Sequence, residues 1–147
     1  MGTRHQGTID EINALNSFIK LQRAAGSVSS RVNRVLPTDL TSTQFGVLEA
    51  LYHLGPLCQG ELAEKLLQSG GNLTLVVANL EKAGYVLRER DPGDRRFVIV
   101  KLTDRGTDFI GKLFPRLVAR VCAEMRSLSS TELLDLARLC KKVGLPS

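Results

Sequence analysis

Residues 80–106 read LEKAGYVLRERDPGDRRFVIVKLTDRG, and a change of hydrophobic period inside this stretch decides the fold. Leading into it, Leu73, Val76, Val77 and Leu80 recur at i, i+3, i+4 and i+7, one face of an amphipathic helix. Gly84 then supplies the left-handed residue that commonly follows a helix end. Beyond it the period falls to two. Residues 86–90 and 97–103 are rich in β-branched residues, with Val98, Val100 and Leu102 on one face and Phe97, Ile99 and Lys101 on the other. Asp91-Pro92-Gly93-Asp94 between them is turn chemistry, so the stretch is a helix followed by a β-hairpin with a charged tip.

Working upstream, Ser69 is the N-cap of the helix that carries Leu73 to Leu80. A shorter helix through Leu62, Ala63, Leu66 and Leu67 precedes it, with a break at Gln68. Its start, Cys58 with Glu61 three residues on, has capping-box spacing with a thiol in place of the hydroxyl. Two short helices joined by a tight turn form a helix-turn-helix pattern. Thr41 and Gln44 make a complete capping box for an earlier helix buried through Phe45, Leu48, Leu51 and Leu54 and stopped by Gly55-Pro56. Before that, residues 8–36 carry Ile12, Leu15, Phe18, Ile19, Val28, Val32 and Val35 at helical spacing, ended by Pro37.

Downstream, the chain turns helical from Asp104, with Phe109, Ile110, Leu113, Leu117, Val118, Val121 and Met125 apolar and Pro115 a candidate kink. Ser129 and Glu132 open a last helix through Leu133, Leu136, Ala137 and Leu139. The fold class is therefore mainly α with a small β-hairpin, a winged helix-turn-helix with long terminal helices. The expected organisation is an N-terminal arm (1–40), a reading head (41–103) and C-terminal arm helices (104–147) in one compact chain. The arms carry more apolar face than one small head covers, so Ile12, Leu15, Phe18, Leu117, Val121, Leu133, Leu136 and Leu139 are the expected homodimer interface.

Composition narrows the function. At 147 residues, 43% hydrophobic and 24% charged, the chain is an ordinary single globular unit. No apolar run approaches the roughly 18 residues of a membrane span and the N-terminus lacks a signal-peptide core, so a cytoplasmic protein is expected. Cys58, Cys122 and Cys140 are too few and too widely spaced for a disulfide framework, and His5 and His53 add too little for a metal site. No cofactor is expected. The net charge of +5 is unevenly distributed: Lys82, Arg88, Arg90, Arg95, Arg96, Lys101, Arg105, Lys112, Arg116 and Arg120 fall in one stretch, which favours phosphate-bearing partners.

A helix-turn-helix followed by a basic hairpin is built for two-part readout of double-stranded DNA. One helix enters the major groove and the hairpin brings cations to the neighbouring minor groove and backbone. On the helix, the candidates are Ser69, whose N-terminal turn favours a phosphate, Asn72 and Asn79, whose amides suit adenine, Thr74 for phosphate or base, and Leu75 for a thymine methyl. On the wing they are Arg90, Asp94, Arg95 and Arg96. Asp94, two positions before Arg96, is placed to hold that guanidinium by a bidentate pair, the task that justifies an acid in a DNA-facing loop.

These residues carry a resemblance. Leu40-Thr41 through Gln44-Phe45, Gly60-Glu61-Leu62-Ala63, Leu80-Glu81-Lys82-Ala83-Gly84, Asp91-Pro92-Gly93-Asp94-Arg95-Arg96 and Leu102-Thr103-Asp104-Arg105-Gly106 together resemble the multiple-antibiotic-resistance regulators, the MarR family. The resemblance spans Leu40 to Gly106; the flanks match only as helices, where that family places its dimer interface. It implies a repressor of a pseudo-palindromic operator, often released by a small phenolic or aromatic acid or by thiol oxidation, with Asp94 and Arg96 as the wing pair. One departure stands out: the family usually carries an arginine near the positions of Leu75 or Asn79, and here both are uncharged.

Plainer readings stand beside these. Asp94 and Arg96 could be a solvated turn pair, and Asn72, Thr74 and Asn79 merely exposed helix positions. Cys58 reads as a small buried residue, with a redox role as the open alternative. Cys122 and Cys140 read as packing, and Tyr52, His53 and Arg23 as surface or core rather than an effector pocket. Two other function classes compete. A winged helix used for protein contact leaves the basic tip without a purpose, and an enzyme requires a nucleophile, metal or phosphate arrangement that the sequence lacks.

Overall fold

The computed structural model describes residues 3–145. In order these form α1 (Ile9–Val32), a 3-10 turn (Asn33–Val35), α2 (Ser42–Leu54), β1 (Leu57–Cys58), α3 (Gln59–Lys65), α4 (Gly70–Lys82), β2 (Val86–Arg90), β3 (Val98–Leu102), α5 (Asp104–Met125) and α6 (Ser130–Gly144). The winged-helix class expected from the hydrophobic periods is the one observed. Two compact units divide the chain: residues 33–118, and residues 1–32 together with 119–147. No helix among the described residues is long and apolar enough to cross a membrane.

The central unit is held by one apolar core. Phe45, Val47, Leu48 and Leu51 of α2, Leu62 of α3, Leu73, Val77 and Leu80 of α4, Val86, Val100, and Ile110, Leu113 and Leu117 of α5 are all buried. Fully burying a side chain of this size contributes about 1.5–3 kcal/mol. Local chemistry starts and stops the helices around it. Thr41 Oγ1 accepts from Gln44 N at 3.1 Å while Gln44 Oε1 accepts from Thr41 N at 2.9 Å. Gly55 (φ 79°) ends α2 and Gly84 (φ 84°) follows α4 in the left-handed region.

Three antiparallel strands lie in the order β1-β3-β2. β2 and β3 pair from Val86 opposite Leu102 to Arg90 opposite Val98. β1, unforeseen from the sequence, pairs Leu57 with Val100 and Cys58 with Ile99. The β3–α5 junction is tightly built. Tyr85 O accepts from Thr103 N at 3.0 Å, and Thr103 Oγ1 donates to Gly84 O at 2.6 Å while accepting from Gly106 N at 3.0 Å.

Three helical expectations need correction. α1 ends at Val32 and tightens into a 3-10 turn over Asn33–Val35, because Pro37 denies Leu36 the helical basin and the last carbonyls find closer partners. α3 stops at Lys65, so Leu66 and Leu67 lie in the turn; Leu67 itself adopts φ 53°. Leu54, expected on the buried stripe of α2, is 58% exposed at the last position of that helix; Pro115 lies inside α5.

The other unit comprises α1, the C-terminal part of α5, and α6. Arg31 of α1 donates to Glu124 of α5, which also pairs with Arg120. These guanidinium bonds, Arg31's first, hold the Glu124 carboxyl below its ordinary range. Capping at Ser129 and Glu132 is complete, yet α6 has no buried residue. Its Leu133, Leu136 and Leu139, with Phe18 of α1 and Val121 of α5, leave an uncovered apolar surface.

Candidate nucleic-acid interface

α4 begins where Ser69 Oγ accepts from Asn72 N at 3.2 Å, as its N-cap position requires. Its buried stripe leaves Asn72, Thr74, Leu75 and Asn79 exposed. The polar members of this set are not equivalent. The Thr74 hydroxyl donates to Gly70 O at 2.8 Å and accepts from Gln59 Nε2 at 2.7 Å, so it is already engaged within the chain. Asn72 Nδ2 donates to Gln68 Oε1. Asn79 makes no side-chain hydrogen bond among the described residues and borders a cleft of about 190 Å³ shared with Gln44, Tyr85 and Arg105.

The wing is fixed to α4 by Glu81. Arg88 N donates to Glu81 Oε2 at 2.9 Å and the Arg88 guanidinium donates to Oε1 at 2.9 and 3.2 Å. Those bonds hold the Glu81 carboxyl below its usual range. Sequence reading missed this brace, because its partners lie seven residues apart on either side of a change of element. At the tip, Asp91 Oδ1 accepts from Gly93 N at 2.7 Å and from Asp94 N at 3.3 Å, which closes the loop.

Arg96 Nε donates to Asp94 Oδ1 at 3.0 Å and its Nη2 to Oδ2 at 2.7 Å, a bidentate fork, while the Arg96 backbone N–H also reaches Oδ1 at 3.1 Å. The fork lowers the Asp94 carboxyl pKa and raises that of the guanidinium. Arg96 nevertheless remains 86% exposed, so the acid orients the cation without hiding it. Arg90 Nη1 donates to Arg95 O at 2.9 Å, bracing the opposite side of the loop. Arg95 has no acidic partner among the described residues. Much of the remaining basic stretch is internally paired: Arg88 with Glu81, Lys101 with Glu89, Lys112 with Asp108 and Arg120 with Glu124. The free positive charge of the hairpin is concentrated at its tip.

A family model described as "MarR family" matches residues 40–98. Over 135 residues the chain is 36% identical to an uncharacterised HTH-type transcriptional regulator, YkoM, of Bacillus subtilis (strain 168), covering 91% of this chain and 88% of that one. The chain belongs to the MarR family. It is accordingly a DNA-binding transcription regulator and not an enzyme. Among solved structures, a cysteine-to-serine variant of MarR from E. coli complexed with operator DNA is 31% identical with a TM-score of 0.73, covering 88% of this chain and 97% of that one. AbsC, a MarR family transcriptional regulator from Streptomyces coelicolor, is 22% identical with a TM-score of 0.81 over 95% of both chains. The uncharged Leu75 and Asn79 of α4 remain the departure from the pattern expected of this family.

Of the residues expected at the dimer interface, Ile12, Leu15, Phe18, Val121, Leu133, Leu136 and Leu139 lie in the arm unit. Phe18, Leu136 and Leu139 line one apolar groove of about 600 Å³, and Val121, Leu133 and Leu136 another of about 480 Å³. Leu117 is a correction: it is buried within the single chain, on the α5 stripe that includes Ile110 and Leu113. Cys122 and Cys140, expected to be packed, are exposed on these groove walls, because the arm helices have no core of their own to receive them. Cys58 is half-buried at the start of α3, where its backbone N–H donates to Glu61 Oε2 at 2.8 Å. Tyr52 and His53 form an aromatic cluster with Phe114, His53 lying 4.6 Å from the Phe114 ring.

Proposed function

We propose that the chain acts as a homodimeric repressor that sets two winged heads on a pseudo-palindromic operator and is released by a small aromatic or phenolic ligand or by oxidation. The Asp94–Arg96 fork carries this reading, because it holds an exposed guanidinium on a rigid hairpin tip, a geometry suited to a narrow, electronegative minor groove. Arg90 and Arg95 add phosphate contacts beside it. In the major groove, α4 presents Asn72, Thr74, Leu75 and Asn79, with its Ser69-capped first turn toward a phosphate. In this reading residues 41–103 form the head, and 1–40 with 104–147 form the dimerisation arms. Support for the dimer comes from Phe18, Leu133, Leu136 and Leu139, which are exposed as single-chain side chains and would contribute on the order of 1 kcal/mol each when covered.

Fluorescence anisotropy with a labelled duplex tests the head. If roughly six to ten phosphates are neutralised, affinity falls about 10³- to 10⁵-fold between 50 and 200 mM salt. Salt-independent binding refutes it. Sedimentation velocity tests the arms, and a folded monomer at micromolar concentration refutes the dimer.

A further inference from the structure

The exposed surface of α4 is arranged around one leucine. Leu75 is 61% exposed, the one large apolar side chain that α4 exposes; its neighbours one turn away are Gly71 and Ala78 on one side and the exposed Asn72 and Asn79 on the other. The polar side chains around it are largely committed to the protein itself. Thr74 is held by Gly70 O and Gln59, and the Asn72 amide by Gln68. Gly70 and Gly71 are not required by internal packing, since a Cβ at either would meet nothing within 4 Å. In a helix each glycine nonetheless costs roughly 0.5–1 kcal/mol relative to alanine. Gly70 and Gly71 thus keep the start of α4 low, which permits close approach to a surface outside the chain beside Leu75.

Resting on the DNA reading above, we infer that Leu75 is the principal specificity-determining residue of α4 and that it reads thymine by its C5 methyl group. In the major groove that methyl is the one apolar feature of a base pair, and an uncharged aliphatic side chain is its complement. An arginine here would select guanine through O6 and N7; leucine offers no donor and leaves those acceptors unpaired. Contact with the methyl needs no hydrogen bond, consistent with a helix start where Thr74 and the Asn72 amide nitrogen are already bonded within the chain. Asn79, whose carboxamide is unengaged among the described residues, would add a polar contact one turn away.

The test removes only the methyl. Full-length protein first enriches duplexes from a random-sequence pool, and an enriched duplex is remade with deoxyuridine replacing thymidine one position at a time. Wild-type protein should bind about fourfold more weakly for each contacted methyl removed, at one or two positions per half-site, with uracil elsewhere having little effect. Leu75→Ala should bind the thymine duplex more weakly and lose the distinction between thymine and uracil; Leu75→Val should retain part of it. A flat uracil scan with wild-type protein overturns the proposal, and that measurement depends on no variant folding. Half-sites without thymine, or an undiminished uracil penalty in a folded Leu75→Ala, also overturn it. If the pool yields no enrichment and random duplex is not retained, the DNA reading itself has failed, a result distinct from a flat scan on a retained duplex.

Discussion

Gly106→Ala offers a severe test of the β3–α5 junction because two opposed effects can be weighed. Gly106 occupies the first turn of α5, where alanine is intrinsically favoured over glycine by about 0.8–1.0 kcal/mol. A Cβ at this position, however, would lie 2.0 Å from Tyr85 O, 2.9 Å from Tyr85 C and 3.2 Å from Leu102 Cδ2. The obstructing atom is backbone and cannot rotate away. It also accepts the 3.0 Å hydrogen bond from Thr103 N, so the displacement that accommodates the methyl pulls on the tie between the head of β2 and the end of β3. Overpacking costs typically 1–3 kcal/mol where side chains can adjust, and a fixed carbonyl puts this site at or above the upper end. The clash wins. The net loss is about 2–3 kcal/mol, or roughly 4–12 °C in melting temperature for a chain of this size. Circular dichroism melts at one protein concentration should show it, with Gly60→Ala as the control. Gly60 lies inside α3, and a methyl added there would meet nothing within 4 Å, so that variant should melt at or slightly above wild type. A Gly106→Ala protein melting with wild type refutes the account of the junction.

Three further outcomes follow from the geometry. Leu67, 92% exposed at φ 53°, bears a left-handed strain of about 1–2 kcal/mol that burial does not offset; Leu67→Gly should raise the melting temperature by a few degrees, and a lowered one contradicts the strain. Arg96→Ala should weaken binding to many duplexes together, most at A·T-rich flanks, and Asp94→Ala should do so more mildly because the cation stays but loses its orienting partner; unchanged anisotropy titrations for Arg96→Ala refute the wing assignment. Glu124 has a depressed folded-state pKa, so its contribution is fully present above the ordinary carboxylate range and is lost as pH falls through the depressed value. Glu124→Gln should therefore melt below wild type at neutral pH and converge with it in acid, and a gap that widens on acidification contradicts that sign.

How much of this was legible in the sequence depended on whether its cause was local. The caps at Thr41, Ser69 and Ser129 involve side chain and backbone three residues apart, and the structure bonds each as the spacing implies. The hairpin was legible from a period of two on both sides of a Pro-Gly turn. β1 was not, because two residues have no period and Leu57 and Cys58 become a strand only by pairing with Val100 and Ile99. Leu67 gave no signal of a left-handed turn, since leucine is among the residues that avoid it. Leu117 shares its helix and spacing with Val121, and only the packing of the head separates the buried residue from the exposed one. At the site, the Asp94–Arg96 pair was readable two residues apart, whereas the engagement of Thr74 by Gln59 required the fold to bring α3 beside α4.

That engagement bears on how the proposed reading divides its work. Two of the strand cations, Arg88 and Lys101, are spent on Glu81 and Glu89 and serve to stiffen the hairpin and tie it to α4. What the hairpin keeps for an electrostatic partner is Arg90 and Arg95, which have no acidic partner among the described residues, with the exposed, Asp94-oriented Arg96 beside them, while α4 carries no charged side chain before Glu81. Attraction to phosphate falls with salt, but apolar contact with a base does not depend on counterion release. On that reading, charge at the wing sets the slope of affinity against salt, and Leu75 together with the wing's preference for A·T-rich flanks sets the difference between one duplex and another at fixed salt. A regulator built in this way keeps its discrimination when ionic strength rises, even as its total affinity declines.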